Sequence, residues 1–248
     1  MILETPAFYL KHRPHGQESA IVHLFCREPG PLTVYQKGFC SPKFRWKALF
    51  DFGQELYLSL RESGDNYFLA DARLLQSIPL RDYRALTIGS FLFQLLSAWP
   101  VSVPWNAPSL YDAVRQELHF FSTAIEWPRL LQLQLWILQE FGLLGDHAEC
   151  FQCQTRFGPE AFSFAEPGEW SFLCADCRLR HPSPGTSALR LDTHERDILS
   201  SWFAPVASKR GELSGTSLLA LQNHLNTLYR DWVPFKMTQE VMRVLTEF

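Results

Sequence analysis

Hydrophobic and polar positions alternate with a period of two through the first eighty or so residues. Turn sequences containing Pro and Gly separate short runs rich in β-branched and aromatic residues, among them SAIVHLFC (19–26), LTVYQKG (32–38) and QELYLSL (54–60). This pattern is typical of an antiparallel meander, and Asn66–Ala70 supplies a fifth strand. Five short strands in so few residues predict a small closed barrel of the OB-fold type, which commonly binds single-stranded nucleic acid.

Beyond residue 80 the apolar positions recur every three or four residues, so the pattern changes from strand to helix. It predicts helices over 86–99, 109–125, 128–141, 193–203 and 238–248, and another that begins at Ser214 or Ser217 and runs to Trp232. The fold class is therefore α+β: a five-stranded OB-fold barrel at the amino end, followed by an α-helical domain.

Two C-x2-C pairs interrupt the helical region: Cys150 with Cys153, and Cys174 with Cys177. The two-residue gap lets both sulfurs of one turn face a single metal, and two such turns close a tetrahedral Zn²⁺ site. Four cysteine ligands leave no open position, so we expect one structural zinc ion. The alternatives are a site that has lost or exchanged its metal, and disulfide, redox or catalytic use of the thiols.

Composition narrows the class of protein. With 46% hydrophobic and 20% charged residues, the chain of 248 residues is expected to be globular and to form two or three units. We expect neither a secretory signal nor a membrane partner, because residues 1–10 lack a basic start and no run of eighteen apolar residues occurs. Free thiols beside a four-cysteine metal site favour a reducing, cytoplasmic location.

Charge is unevenly distributed along the chain. The formal net charge is −3, yet residues 1–50 carry seven Lys/Arg against three Glu, a balance of +4. The segment 36–47 (QKGFCSPKFRWK) interleaves four cations with three aromatic residues, a composition that suits phosphates and bases. The alternative is a solvated loop whose Phe44 and Trp46 belong to the barrel core. No phosphate-binding loop, dinucleotide fingerprint, zinc-protease motif or serine-nucleophile motif occurs, so we expect no enzymatic activity.

The order of parts, a basic barrel, helices, a four-cysteine segment and more helices, resembles the bacterial RecO family of recombination mediators. The most specific pieces are 130–153 (LLQLQLWILQEFGLLGDHAECFQC), similar to the family's helix leading into its first Cys pair, and 36–52, similar to its barrel hairpin. The resemblance implies three regions: an OB-fold over 1–80, a helical domain over 81–149 and 179–248, and a zinc-binding segment over 150–178.

The resemblance also implies a function. A RecO-like protein binds single- and double-stranded DNA, anneals complementary strands and works with RecR, and in some species RecF, so that RecA displaces single-stranded-DNA-binding protein (SSB). RecA is then an indirect partner, the SSB C-terminal tail a direct one, and the location cytoplasmic and nucleoid-associated. The implied zinc ligands are the four cysteines, and the implied DNA contacts are Lys37, Lys43, Arg45 and Lys47, with Lys11 and Arg13 on the neighbouring strand.

The chain departs from the family pattern after Gly38, where Phe39-Cys40-Ser41-Pro42 stands in place of several basic residues. Together with the acidic net charge, this predicts DNA binding that is weaker than usual for the family or depends on a partner. A competing hypothesis is an interaction scaffold whose helical region receives a partner peptide, such as the SSB tail. A zinc-dependent hydrolase acting on nucleic acid is a third.

Overall fold

The computed structural model describes residues 2–64, 66–98, 106–140, 142, 148–157, 163–165, 172–180, 189–202, 213–228 and 235–246. The chain divides into two compact units. One comprises Met1–Ile125 with Gln239–Phe248, and the other comprises Glu126–Thr238.

The first unit is built on a closed five-stranded barrel. Its strands are β1 (Ile2–His15), β2 (Ser19–Cys26), β3 (Gly30–Gln36), β4 (Gln54–Ser63) and β5 (Asn66–Ser77), in the order β1-β2-β3-β5-β4. The β3–β5 pair is parallel and the other pairs are antiparallel. The alternate inward positions fill the interior, among them Ala20, Val22, Leu24, Leu56, Leu58 and Leu60. The predicted OB-like barrel is confirmed. The period-two pattern explains it, because alternation places one apolar face of each strand inside the barrel.

Two helices of the first unit follow the barrel, α1 (Tyr83–Ser97) and α2 (Ala107–Phe121). Helix α1 begins three residues before the predicted start because the Asp82 side chain accepts a 2.8 Å hydrogen bond from the backbone N–H of Ala85. Helix α2 begins after Asn106, which accepts from the N–H of Ser109 at 3.4 Å, and ends at Phe121 rather than 125. The predicted end of the first helix at Trp99 lies outside the described residues.

The second unit contains helices and a small three-stranded sheet. Its elements are α3 (Trp127–Glu140), β6 (Ser163–Ala165), β7 (Phe172–Leu173), α4 (Ala175–Arg180), β8 (Leu189–Leu191), α5 (Thr193–Trp202) and α6 (Gly215–Leu228), with strand order β7-β6-β8. Helix α5 is capped by Asp192 and Glu195, which bond each other's backbone N–H at 2.8 and 3.1 Å. Phe141 and the predicted extension of α6 to Trp232 lie outside the described residues.

A last helix, α7 (Phe235–Thr246), begins three residues before the predicted Thr238. Its residues from Gln239 onward belong to the first unit, where Glu240 accepts a hydrogen bond from the Tyr83 hydroxyl on α1. Among the described helices, none has both the length and the apolar character that crossing a bilayer requires.

Candidate metal centre and nucleic-acid surface

The first cysteine pair lies on a tight turn closed by backbone hydrogen bonds. Cys150 donates its N–H to the carbonyl of Thr155 at 2.9 Å, and its own carbonyl accepts from Gln154 N–H at 2.7 Å. Gln154 has a φ of 58°, the left-handed conformation that lets the chain turn back after Cys153. The turn is joined to β7, because the N–H of Phe151 donates to the carbonyl of Phe172 at 2.8 Å.

The second pair lies at the start of α4. Cys174 directly precedes this helix, and its sulfur accepts from the N–H of Cys177 at 3.4 Å, as an N-cap side chain does. The N–H of Cys174 in turn donates to the sulfur of Cys150 at 3.4 Å, which links the two turns. Backbone N–H groups that point at sulfur stabilise the thiolate form, and thiolates are the species that bind a metal.

All four sulfurs lie within 4.8 Å of one another. Those of Cys153 and Cys174, which come from different pairs, are 3.8 Å apart. A tetrahedral site with metal–sulfur bonds of about 2.3 Å puts its sulfurs roughly 3.8 Å apart, so the four residues fit a metal ion of that kind. Cys150 and Cys177 are buried, Cys174 is half-buried and Cys153 is exposed, which leaves one edge of the site open to solvent.

The thiols differ in acidity. Hydrogen bonding to Thr155 is the largest cause that lowers the pKa of Cys153, to about 6. Hydrogen bonding to Cys174 is the largest cause that raises the pKa of Cys177, to about 12. Four sulfurs so close together cannot all ionise without a cation among them, so ionisation of all four thiols would require a bound cation.

The long connection between β3 and β4 closes one end of the barrel. It contains a short 3₁₀ helix, Lys47–Leu49, and four rings that pack against the barrel core: Phe39, Phe44, Trp46 and Phe50. Phe39 is fully buried. The backbone N–H of Cys40 donates to the carbonyl of Glu18 at 2.8 Å, which holds this connection against the β1–β2 turn. The rings of Phe44 and Trp46 therefore pack on the core, as the alternative of a solvated loop expected of them.

The cations of the same connection lie on the outside. Lys37, Lys43, Arg45 and Lys47 are all exposed. Arg45 donates to Asp71 of β5 at 3.1 Å and lies 4.1 Å from the centre of the Trp46 ring. Lys47 donates to the carbonyl of Phe39 at 3.2 Å. Within the described part of the chain, Lys37 and Lys43 have no carboxylate partner.

The two predicted cations of β1 lie on the outer face of the barrel beside a histidine. Lys11 is opposite His23 in the β1–β2 register, and Arg13 is two residues further on. Burial, then Lys11 and Arg13, lower the pKa of His23. On the other side of β1, burial and then Lys47 lower the pKa of His12. The structure therefore places Lys11 and Arg13 near each other on the outer face of β1, whereas Lys47 lies near His12 on the opposite side of that strand.

Sequence reasoning did not single out Asp71, the partner of Arg45, since 26 residues separate the two and no local pattern joins them. Nor did it single out Tyr35 and Phe68, whose rings are 6.2 Å apart on the outer faces of β3 and β5. The alternation of inward and outward positions indicates that both rings lie on the outer face. It does not indicate that β3 and β5 are neighbours, because the strand order is not apparent from the sequence.

The fold is that of a two-unit protein that has a closed OB-like barrel, helices and a cluster of four cysteines that fits a metal ion. Two family models match the chain: "Recombination protein O N terminal" over residues 1–78 and "Recombination protein O C terminal" over residues 80–231. The chain belongs to the RecO family. This membership supports a role in DNA recombination and repair.

Curated relatives agree with the family models. The chain is 24% identical over 177 residues to the DNA repair protein RecO of Halalkalibacterium halodurans, a match covering 68% of this chain and 66% of that protein. It is 22% identical over 238 residues to the DNA repair protein RecO of Bacillus mycoides, covering 94% and 92%. It is 27% identical over 139 residues to the DNA repair protein RecO of Aromatoleum aromaticum, covering 56% and 58%.

Proposed function

We propose that the chain is a non-enzymatic recombination mediator. It binds single- and double-stranded DNA, anneals complementary strands and, together with RecR, helps RecA load onto single-stranded DNA coated with SSB. Family membership supports this role. The observation that carries it is the separation of side chains in the β3–β4 connection, whose rings enter the core while its cations, Lys37, Lys43, Arg45 and Lys47, remain exposed.

DNA binding would be mainly electrostatic. Lysine and arginine that neutralise phosphates release counterions, and the affinity then falls as salt rises. Lys11 and Arg13 add two cations on the outer face of β1. A polynucleotide that reached both places would meet cations on a strand and on the connection. Because such interactions involve the phosphate backbone, binding would depend little on base sequence.

We propose Zn²⁺ as the metal, one ion per chain, held by Cys150, Cys153, Cys174 and Cys177. Four thiolates in a tetrahedral arrangement suit zinc, and they leave no position for a substrate. The ion would supply structural free energy by joining the first turn to α4 and β7, which otherwise share a core of only a few residues.

The proposed regions are those expected from the sequence: an OB-fold over 1–80, helices over 81–149 and 179–248, and the metal segment over 150–178. The proposed partners are RecR, the SSB C-terminal tail, RecF in some cells, and RecA indirectly. The proposed location is the cytoplasm, with association to the nucleoid through DNA.

A salt series of single-strand binding tests the proposal. Fluorescence anisotropy with a labelled oligonucleotide, repeated for a duplex, should give a linear fall of log affinity with log salt. An annealing assay with complementary strands, with and without RecR, tests the second activity. Binding that is absent at low salt, even with RecR present, would contradict the proposal.

One observation favours a second function, a scaffold that binds a peptide. A cleft of about 480 Å³ lies where α1 begins and the segment after α2 ends, and its walls include Tyr83, Arg84, Phe121 and Ile125. Apolar walls beside an arginine suit an acidic, hydrophobic tail such as that of SSB. Calorimetric titration with that tail separates the two functions, because strong peptide binding without DNA binding favours the scaffold.

A further inference from the structure

One row of side chains crosses all five strands on the outer face of the barrel. The register pairs Arg13 of β1 with Ile21 of β2, and Ile21 with Tyr35 of β3. The parallel pairing of Val34 with Tyr67 places Tyr35 beside Phe68 of β5. Phe68 is in turn paired with Arg61 of β4. Since directly opposed residues point to the same side of a sheet, these five side chains form a continuous row.

Inward positions alternate with the row, which confirms its orientation. Ala20 and Val22 flank Ile21, and Leu60 precedes Arg61; all three are buried in the barrel core. Arg13 and Arg61 at the two ends are exposed, whereas Ile21, Tyr35 and Phe68 in the middle are half-buried. Four strand spacings of about 4.8 Å make the row roughly 19 Å long.

The middle of the row is aromatic. The rings of Tyr35 and Phe68 meet edge to face with their centres 6.2 Å apart, and the ring of His15 meets Tyr35 in the same way at 5.6 Å. These contacts fix each ring against its neighbour while leaving part of its surface in solvent. Rigid, partly exposed rings on a sheet are suitable platforms for nucleic-acid bases.

A cleft of about 540 Å³ opens beside Phe68. Its walls include Lys37 and Arg61, together with one acidic residue, Glu62. Within the described residues, no carboxylate pairs with Lys37, Arg61 or Arg13, so these cations are available to an anionic ligand. By contrast, Arg45 of the β3–β4 connection already pairs with Asp71.

We propose that this row is a stacking site for unpaired bases of a single-stranded polynucleotide, with Tyr35 and Phe68 as the platform. Lys37, Arg61 and Arg13 hold the phosphates on either side. The inference rests on the proposed DNA-binding function and adds to it the part of the surface that distinguishes single strands. A duplex keeps its bases stacked on each other and meets only the cations, so the rings contribute nothing to duplex binding.

Charge and shape favour this occupant over a protein segment. An acidic peptide would match the cations, but a peptide that adds to a sheet needs an open strand edge, and the barrel is closed. The row also runs across the strands, so its ligand has to place flat groups on the rings and negative charge at both ends. A single strand has both features at regular intervals.

The test compares single-ring variants of the full chain. Phe68→Ala and Tyr35→Ala should each weaken binding of a single-stranded oligonucleotide by roughly 5- to 150-fold, the range expected for removal of one base stack, and leave duplex binding unchanged. Phe68→Trp, which keeps an aromatic ring at this position, should bind the single-stranded oligonucleotide about as tightly as the wild type. Tyr57→Ala is the matched control, because Tyr57 is also a half-buried aromatic residue on the outer face of a strand but lies outside the row.

An abasic oligonucleotide of the same length separates bases from phosphates. The wild-type chain should bind it less tightly than the normal strand. The difference should be smaller for Phe68→Ala and should vanish when Tyr35→Ala is combined with it. If the wild-type chain binds single strands but Phe68→Ala behaves like Tyr57→Ala, the stacking site is wrong and the proposed function stands. If the wild-type chain binds neither DNA, the proposed function itself fails.

Two other outcomes decide between remaining explanations. If Phe68→Ala weakens binding to RecR and not to DNA, the row is a protein interface, which overturns the inference. If circular dichroism shows that both alanine variants have lost structure, the wild type and Phe68→Trp are compared on the normal and the abasic strand. Equal affinity of the wild type for the two strands overturns the stacking site.

Discussion

The carboxylate of Glu55 on β4 accepts a 2.9 Å hydrogen bond from the guanidinium Nε of Arg115 on α2. Only 3% of Glu55 is exposed, and its second oxygen accepts from the Tyr111 hydroxyl at 2.9 Å. Arg115 also donates to Gln76 of β5 at 3.2 Å. These bonds attach helix α2 to two adjacent strands of the barrel, so a buried acid helps to hold the helix to the sheet.

Glu55→Gln should destabilise the first unit. The amide keeps the size of the side chain but offers one oxygen where Glu55 offers two to Tyr111 and Arg115, and it lacks the negative charge that strengthens the bond to Arg115. Removing a hydrogen bond to a charged group in a buried place costs about 1–3 kcal/mol of the free energy of unfolding. Urea unfolding followed by intrinsic fluorescence measures the change.

The matched control is Asp112→Asn on the same helix. Arg27 of the barrel donates to both oxygens of Asp112, at 2.9 and 2.7 Å, but these two side chains are 38% and 51% exposed. Because solvent screens an exposed pair, the decrease in stability should not exceed about 1 kcal/mol. Equal decreases in the two variants would contradict the role assigned to burial of Glu55.

The barrel could be predicted because its pattern is local. Alternation in segments such as 19–26 and 54–60 places one apolar face inside, and the observed strands have those positions buried. The attachment of helix α2 through Glu55 could not be predicted, because Arg115 is 60 residues away and a β-bulge at Glu55 and Leu56 breaks the alternation there. Periodicity indicates which face is buried and does not indicate which polar residue the next helix will meet.

The candidate sites show the same limit. Spacing alone predicted the cluster of four cysteines, since each C-x2-C pair is local in the chain. It did not predict that the second pair begins a helix. In the β3–β4 connection, however, composition could not separate rings that cover the core from rings that meet a ligand. The structure buries Phe39 and packs Phe44 and Trp46 on the core, while Tyr35 and Phe68, in ordinary strands, keep exposed ring surface. Their contact depends on the strand order.

Reversing the charge of Lys43, Arg45 and Lys47 to Glu should weaken DNA binding for all sequences about equally. Cations that contact phosphate do not distinguish one base from another. On single strands, the slope of log affinity against log salt should become shallower by about 0.7 for each phosphate that is no longer neutralised. Anisotropy titrations across a salt series measure both. Lys236→Glu, an exposed lysine in the other unit, should leave the slope unchanged. A slope that is the same in the triple variant would exclude this region from the DNA surface.

Asp71→Asn should strengthen DNA binding. Asp71 occupies the guanidinium of Arg45 in an exposed ion pair, and a phosphate has to replace it. Without the competing carboxylate, the affinity for DNA at low salt should rise by up to roughly fivefold, which corresponds to the free energy of an exposed ion pair. The increase should become smaller at high salt because salt screens the interaction. Asp197→Asn, which removes one exposed negative charge from the other unit, controls for net charge. An equal gain in the control would attribute the effect to net charge alone.

Acid should destabilise the first unit through His23. Its Nε2 is buried without a hydrogen-bond partner in the described structure, and burial, Lys11 and Arg13 lower its pKa below the usual 6.5 or so. At pH values between the lowered pKa and about 6.5, His23 binds more protons in the unfolded chain than in the folded chain. The contribution of neutral His23 to stability is therefore fully present above about pH 6.5 and decreases as the pH falls below that value. Urea midpoints at several pH values should show a shallower decrease for His23→Gln than for the wild type. Parallel curves would contradict this.

Removal of the metal should destabilise the second unit and spare the barrel. Cys174→Ser should lose the ion, because it removes one of the four thiolate ligands, while the backbone N–H of residue 174 can still donate to the Cys150 sulfur. Elemental analysis should give about one zinc per wild-type chain and none for the variant, with a lower unfolding temperature. Cys40→Ser, a half-buried cysteine of the barrel, should keep the metal. Since the cations lie in the first unit, single-strand binding should persist in Cys174→Ser, and its disappearance would mean that the metal centre takes part in the DNA surface.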